Sequence, residues 1–245
     1  MLLAGQALVV EAALKVPWAQ TPMYNTIMSV AAGVGLLLVV ALGRELYLHR
    51  SVVAEAWALA FGVLGFLLTI TGAHMSFTWP LSSIAPFDNI IFGEPSLAFG
   101  VMLVAAAVFL WSRPALFNAA VEPGDDARLI YVRRVSLPLS IFAAAMGLGC
   151  FGIATAGWAF TLFAAPPQEP ISGTFANYPL LEATFISGLY VLVGLGAVLF
   201  PVALWRPRRQ IVLIIGVCWT LAGLAFTGFG ALNYFTHIGL IIHTS

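Results

Sequence analysis

The stretch AWALAFGVLGFLLTITGAHMSFTW, residues 56–79, decides the fold. It holds no Asp, Glu, Lys or Arg, and the charge-free run extends from Glu55 to Asp88. A bilayer core about 30 Å thick takes roughly 20 apolar residues of helix to cross. Period-two alternation is absent and the run is too long for a barrel strand, so strands are excluded. A segment apolar on every side belongs to a helix in lipid or in the core of a large protein.

Outward from this stretch the pattern repeats. A second charge-free run separates Arg134 from Glu169, and the whole chain divides into six predicted spans near 26–43, 56–79, 95–112, 136–162, 181–205 and 211–236. The composition agrees: 61% hydrophobic and 8% charged, with a mean hydropathy of +1.01, where soluble domains carry about 25% charged residues. Residues 21–245 therefore read as one all-α domain, a polytopic bundle of six transmembrane helices in a lipid bilayer.

The nine arginines fix an expected orientation. Arg44 and Arg50 follow the first span, Arg113, Arg128, Arg133 and Arg134 the third, and Arg206, Arg208 and Arg209 the fifth. The connections after spans two and four carry no Lys or Arg. Basic residues on alternate loops mark the cytoplasmic side, which predicts both termini outside. The arginine-bearing side has a formal charge of +4 and the other side −4, from Lys15 against Glu11, Asp88, Glu94, Glu169 and Glu182. Such an acidic mouth attracts cations. Topology accounts for the arginines, so no nucleic-acid partner is expected.

Residues 1–20 lack the basic leader of a secretory signal. Leu3, Ala7, Val10 and Leu14 recur at helical spacing and Glu11 and Lys15 form an i,i+4 pair, which predicts an amphipathic interfacial helix. Cys150 and Cys218 fall inside spans, where a thiol behaves as a small apolar side chain.

The spans echo one another. Gly65, Thr69, Gly72, Ala73, Phe77 and Thr78 match Gly223, Thr227, Gly230, Ala231, Phe235 and Thr236 at a constant offset. Phe87, Asn89, Glu94 and Gly100 match Phe175, Asn177, Glu182 and Gly188. Alternate spans run in the same direction, so the unit is a two-helix hairpin used three times in parallel, with small residues allowing close helix contact. The Pro-, Gly- and Asn-rich segments 80–93 and 163–180 are expected to fold back as caps.

Ionisable groups within spans are costly and tend to face an interior. His74, Glu94, Glu182 and His237 come from four different spans and share one expected depth, near the acidic mouth. Imidazole with carboxylate suits iron, zinc or copper, and two imidazoles on facing helices suit a haem iron. Each residue also has a structural reading. Glu94 precedes Pro95 and Glu182 lies in the first turn after Pro179, where a helix dipole favours an anion. His74 and His237 can equally be hydrogen-bonded packing residues. No phosphate-binding loop, dinucleotide fingerprint or nucleophile elbow is present.

The segments Gly72-Ala-His-Met-Ser-Phe-Thr-Trp-Pro-Leu81 and Phe92-Gly-Glu-Pro-Ser-Leu-Ala-Phe-Gly100 resemble a prokaryotic family of predicted multi-pass membrane proteins without an assigned function. The resemblance implies a prokaryotic plasma membrane and marks His74 and Glu94 as family features. It implies no activity, substrate or cofactor.

Three functional readings follow. In the first, His74 and His237 hold a transition metal (iron or copper) or a haem for electron transfer or oxidation, with Glu94 and Glu182 as ligands or proton carriers. The second is a cation or proton pathway entered at the acidic mouth. The third is a non-catalytic subunit that assembles with other membrane subunits or with copies of itself.

Overall fold

A computed structural model describes residues 18–119, 121–122 and 125–245. The amphipathic segment expected over 1–20 lies outside these residues, except for a turn of 3-10 helix at Trp18–Gln20. Six long helices follow: α1 Asn25–Tyr47, α2 Ala54–Phe77, α3 Glu94–Ser112, α4 Ala127–Ala159, α5 Pro179–Trp205 and α6 Arg209–Thr244. All six are long and apolar enough to cross a membrane, and no strand occurs among the described residues. The chain is a multi-pass membrane protein.

Five of the six expected spans coincide with their helices at the starting end to within two residues. The exception is α4, which begins nine residues early, at Ala127 rather than 136. At the other end α6 runs eight residues beyond 236, to Thr244. Hydropathy reports the thickness of lipid, whereas a helix continues wherever its turns find partners. Arg128, buried at the start of α4, donates to the Phe117 carbonyl at 3.0 Å. Arg133 donates to the Leu204 and Trp205 carbonyls at 2.8 and 3.0 Å, capping the end of α5. The last turns of α6 hold the α4–α5 connection: Leu240 is buried, Gly239 lies against Pro170 and His243 shares a 2.9 Å hydrogen bond with the Gln168 carbonyl.

The helices associate as three antiparallel pairs, α2 with α3, α4 with α5, and α6 with α1. Each even-numbered helix thus pairs with the odd one after it, and α6 closes the ring on α1. Glycine sets these contacts. A methyl group on Gly65 would lie 2.8 Å from the Gly100 carbonyl oxygen, one on Gly147 2.9 Å from that of Gly194, and one on Gly223 2.9 Å from that of Gly33. Gly72 and Gly230, one heptad on from Gly65 and Gly223, likewise abut backbone atoms of α3 and α1. The matching positions in α2 and α6 therefore do the same physical job.

Between pairs the packing is looser. α5 meets α6 and α1 meets α2 along part of their length, but α3 and α4 touch only sparsely. A small cavity of about 260 Å3 opens in that seam, lined by Leu42, Phe109, Val132 and Leu139 among others.

Replacing Gly65, Gly147 or Gly223 with Ala should each cost about 1–3 kcal/mol through overpacking against backbone. Gly216 and Gly228 have nothing within 4 Å of a new methyl, so Ala there should be neutral or slightly stabilising. Thermal midpoints in one detergent compare the two sets. Equal effects at both would remove the glycine account of pairing.

Candidate functional site

All six helices contribute to one central cavity of about 670 Å3. Along most of its length the wall is apolar, with Met28, Leu36, Phe99, Met102, Val193 and Phe226 as representative residues. Its reach along α1, from Asn25 to Val39, covers fourteen residues of rise, about 20 Å. Ser136 and Ser140 mark the end towards the arginines. No Arg or Lys lines it among the described residues.

The opposite end is polar. It presents Asp88, Glu169, Glu182, His237, Asn25 and Asn233. Both connections at this end fold inwards, as the cap expectation has it. Asn89 fixes the first: its buried carboxamide donates to the Met75 and Thr78 carbonyls and accepts from the Leu81 amide at 3.2 Å. That bond set ties the end of α2 to the π-helical turn Asn89–Gly93 ahead of α3. Tyr190, buried on α5, donates to the Ile91 carbonyl at 2.7 Å and fixes the same turn from across the cavity.

The second connection carries Phe163 into the bundle, stacked on Tyr190 with ring centroids 6.3 Å apart. Phe163 and Ile171 adopt φ of 73° and 66°, a region that costs a bulky or β-branched residue on the order of 1–3 kcal/mol. Packing and hydrogen bonds hold the segment there. The Glu182 carboxylate accepts from the Ala165 amide at 2.6 Å, and Glu169 lies 3.8 Å from Nε2 of His237.

Burial dominates the electrostatics of the connections. It pushes the Asp88 carboxyl up to about 7. Glu169, only 9% exposed, is also raised by burial. The Thr236 hydroxyl nearby offsets part of this without making a regular hydrogen bond, and the Glu182 charge adds to it.

The four residues singled out from the sequence separate into two groups. Glu182 and His237 line the cavity. His74 does not: it is exposed, and its Nδ1 shares a 2.9 Å hydrogen bond with the Tyr24 hydroxyl at the start of α1. Glu94 is exposed at the first turn of α3, beside Pro95. Among the described residues no three His, Cys, Asp or Glu side chains come together as metal ligands would. A common depth along four helices does not fix a common azimuth; α2 turns His74 outwards while the next residue, Met75, faces the cavity.

Glu169 and Asp88 join the site from the connections. The sequence signal for them is the pair of caps: a connection that folds inwards brings its own charges with it. Asn25 and Asn233 sit on α1 and α6 at the same end, and among the described residues their buried carboxamide oxygens have no hydrogen-bond partner, nor has Nδ1 of His237.

The Asp88 shift makes a signed prediction. Its folded value of about 7 exceeds the ordinary value of 3.8, so folding favours the protonated form. Its contribution is most favourable below about pH 4 and is lost as pH rises through 7. Asp88→Asn should leave the thermal midpoint nearly unchanged at pH 4.5. At pH 8 it should raise stability by on the order of 2 kcal/mol, discounted for partial solvent access. A variant equally stable or less stable than the parent at pH 8 would refute the burial assignment.

No curated protein and no solved structure matches the chain. The family model described as "Protein of unknown function (DUF981)" covers residues 23–239, which take in α1 to α5, most of α6 and both inward-folded connections. The chain belongs to that family.

Proposed function

We propose that this protein binds an amphiphilic small molecule inside the membrane, with its hydrocarbon part in the central cavity and its head at the acidic end. One observation carries the reading: a cavity of about 670 Å3 whose wall is apolar except at one end. The protein's own side chains leave this long apolar wall without packing partners, and the dispersion contacts they forgo are available to a hydrocarbon chain. Water fills polar cavities, and the apolar body here offers it few partners. A hydrocarbon chain satisfies the body, and a polar head satisfies the end.

The acidic end faces the outside of a prokaryotic plasma membrane in this reading, and the arginine-bearing end the cytoplasm. The alternation of arginines along the connections supports it. Transport of a bare cation finds less support, because the cavity wall between Ser29 and Ser136 offers mainly Leu, Met, Phe and Ala.

A second reading retains a haem, held by His237 alone. It rests on the unpartnered Nδ1 of His237 at the cavity wall, since His74 lies on the outside. A visible absorption band in purified protein that disappears in His237→Ala would decide for it.

Ala98 on α3 and Ala143 on α4 line the cavity body, so Phe at either position occupies the tail's volume. Native mass spectrometry of the purified protein should show dodecanol bound at one per chain. Ala98→Phe and Ala143→Phe should raise the half-saturating concentration at least tenfold while the helical circular dichroism stays intact. Absence of stoichiometric dodecanol in the parent protein, together with no extractable amphiphile, would end the proposal.

A further inference from the structure

The polar end of the cavity is selective in what it offers. Its side chains include three carboxyl groups, two carboxamides, one imidazole and the hydroxyls of Thr21 and Ser172, with no Arg or Lys among the described residues. Glu169 and Asn233 are 9% and 8% exposed. The Asn233 oxygen has no partner among the described residues, although a buried polar atom normally has one. Asn233 and His237 stand one helical turn apart on α6, so both belong to the same face of that helix. Three acidic side chains thus meet at this end with no Arg or Lys to balance them among the described residues.

From this geometry we infer that the ligand's head is an organic cation that donates hydrogen bonds, an ammonium group, held by Glu169, Glu182 and Asn233. The inference rests on the amphiphile reading above and specifies its head. A metal ion fits less well, because among the described residues no three His, Cys, Asp or Glu side chains come together as a coordination sphere requires. An ammonium head needs only acceptors distributed around it, at hydrogen-bonding distance and without fixed geometry. An anionic head would meet the Glu169 and Glu182 charges with nothing to offset them except His237, 3.8 Å from Glu169. Carboxylates buried against apolar walls interact with a cation more strongly than they would in water.

Three ligands with one tail and different heads test this: dodecylamine, dodecanol and dodecanoate, each titrated by native mass spectrometry onto the full chain in a maltoside detergent. Dodecylamine should half-saturate at a concentration at least tenfold below that of dodecanol, with dodecanoate the weakest. In the Glu169→Gln, Glu182→Gln double variant the gap between amine and alcohol should close to within twofold. Should that variant fail to fold, the parent protein gives the same answer through pH. The amine preference should grow from pH 5 to pH 8, as the buried carboxyl groups of Asp88 and Glu169 on the two connections lose protons. Glu182 and Tyr190 on α5, Cys150 on α4 and His237 on α6 face the same cavity.

Equal binding of amine and alcohol, or a preference for dodecanoate, would overturn the cationic head while leaving the amphiphile reading in place. Failure of all three to bind would remove both.

Discussion

Backbone contact at glycine governs this bundle. In lipid there is no hydrophobic gain from bringing two apolar helices together, so association depends on close packing and on polar groups. Where Gly65 meets α3, Gly147 meets Gly194 and Gly223 meets Gly33, the helices approach to the limit that a missing Cβ permits. Each pair is then a stiff two-helix slab. Three slabs set edge to edge around an axis cannot also interdigitate at their centre, because the residues that pack best have been spent within the pairs. The central cavity is a consequence of where the glycines lie.

Closure of that cavity depends on a different class of contact. The two connections at the acidic end are pinned by hydrogen bonds rather than by apolar packing alone: Asn89 to α2, Tyr190 to Ile91, and Glu182 to Ala165. Groups that would be expensive to bury unpaired are satisfied by loop backbone, and the loops acquire a fixed course over the bundle. The residues left over at this end, chiefly Asn25, Asn233 and His237, have no such partners. Polar atoms divide there into those that build the cap and those that face whatever the cavity holds.

Most of the architecture could be read from the sequence because lipid imposes one-dimensional rules. Span number, the arginine alternation and the Gly-x6-Gly echo of α2 and α6 all survive in the structure. The cap expectation for 80–93 and 163–180 survives too, since Pro and Asn there allow only short helical turns, Asn89–Gly93 and Ser172–Phe175. The site was only half legible. Depth along a helix follows from residue number, but the azimuth depends on which neighbour the helix chooses. α2 commits its glycine face to α3, and this turns His74 towards Tyr24 and away from the axis. The recurring Asn-x4-Glu motif misled in the same way: Asn89 is a buried staple, Asn177 is exposed, Glu94 sits at a helix start and Glu182 faces the cavity. Glu169 could not be ranked from sequence alone, because a loop carboxylate looks solvated until the loop's path is known.

The ring is not equally strong all round, and the weak seam has a topological origin. The α6–α1 pair joins segments far apart in sequence, and it is closed by glycine contacts at Gly33, Gly223 and Gly230 together with a 2.8 Å hydrogen bond from Ser29 to the Phe226 carbonyl. α3 and α4 are consecutive, yet each belongs to a different slab and the longest connection on the arginine side separates them. Neither chain length nor glycine draws them together, and Phe109 and Phe117 instead stack edge-on at the foot of the seam. Ala106, Ser136 and Leu139 line both the seam cavity and the central one, so the two are separated by little more than those side chains. Elements with few shared contacts separate at the lowest free energy. For the amphiphile proposed above, the seam between α3 and α4 is therefore the route from the bilayer with the fewest helix contacts to break.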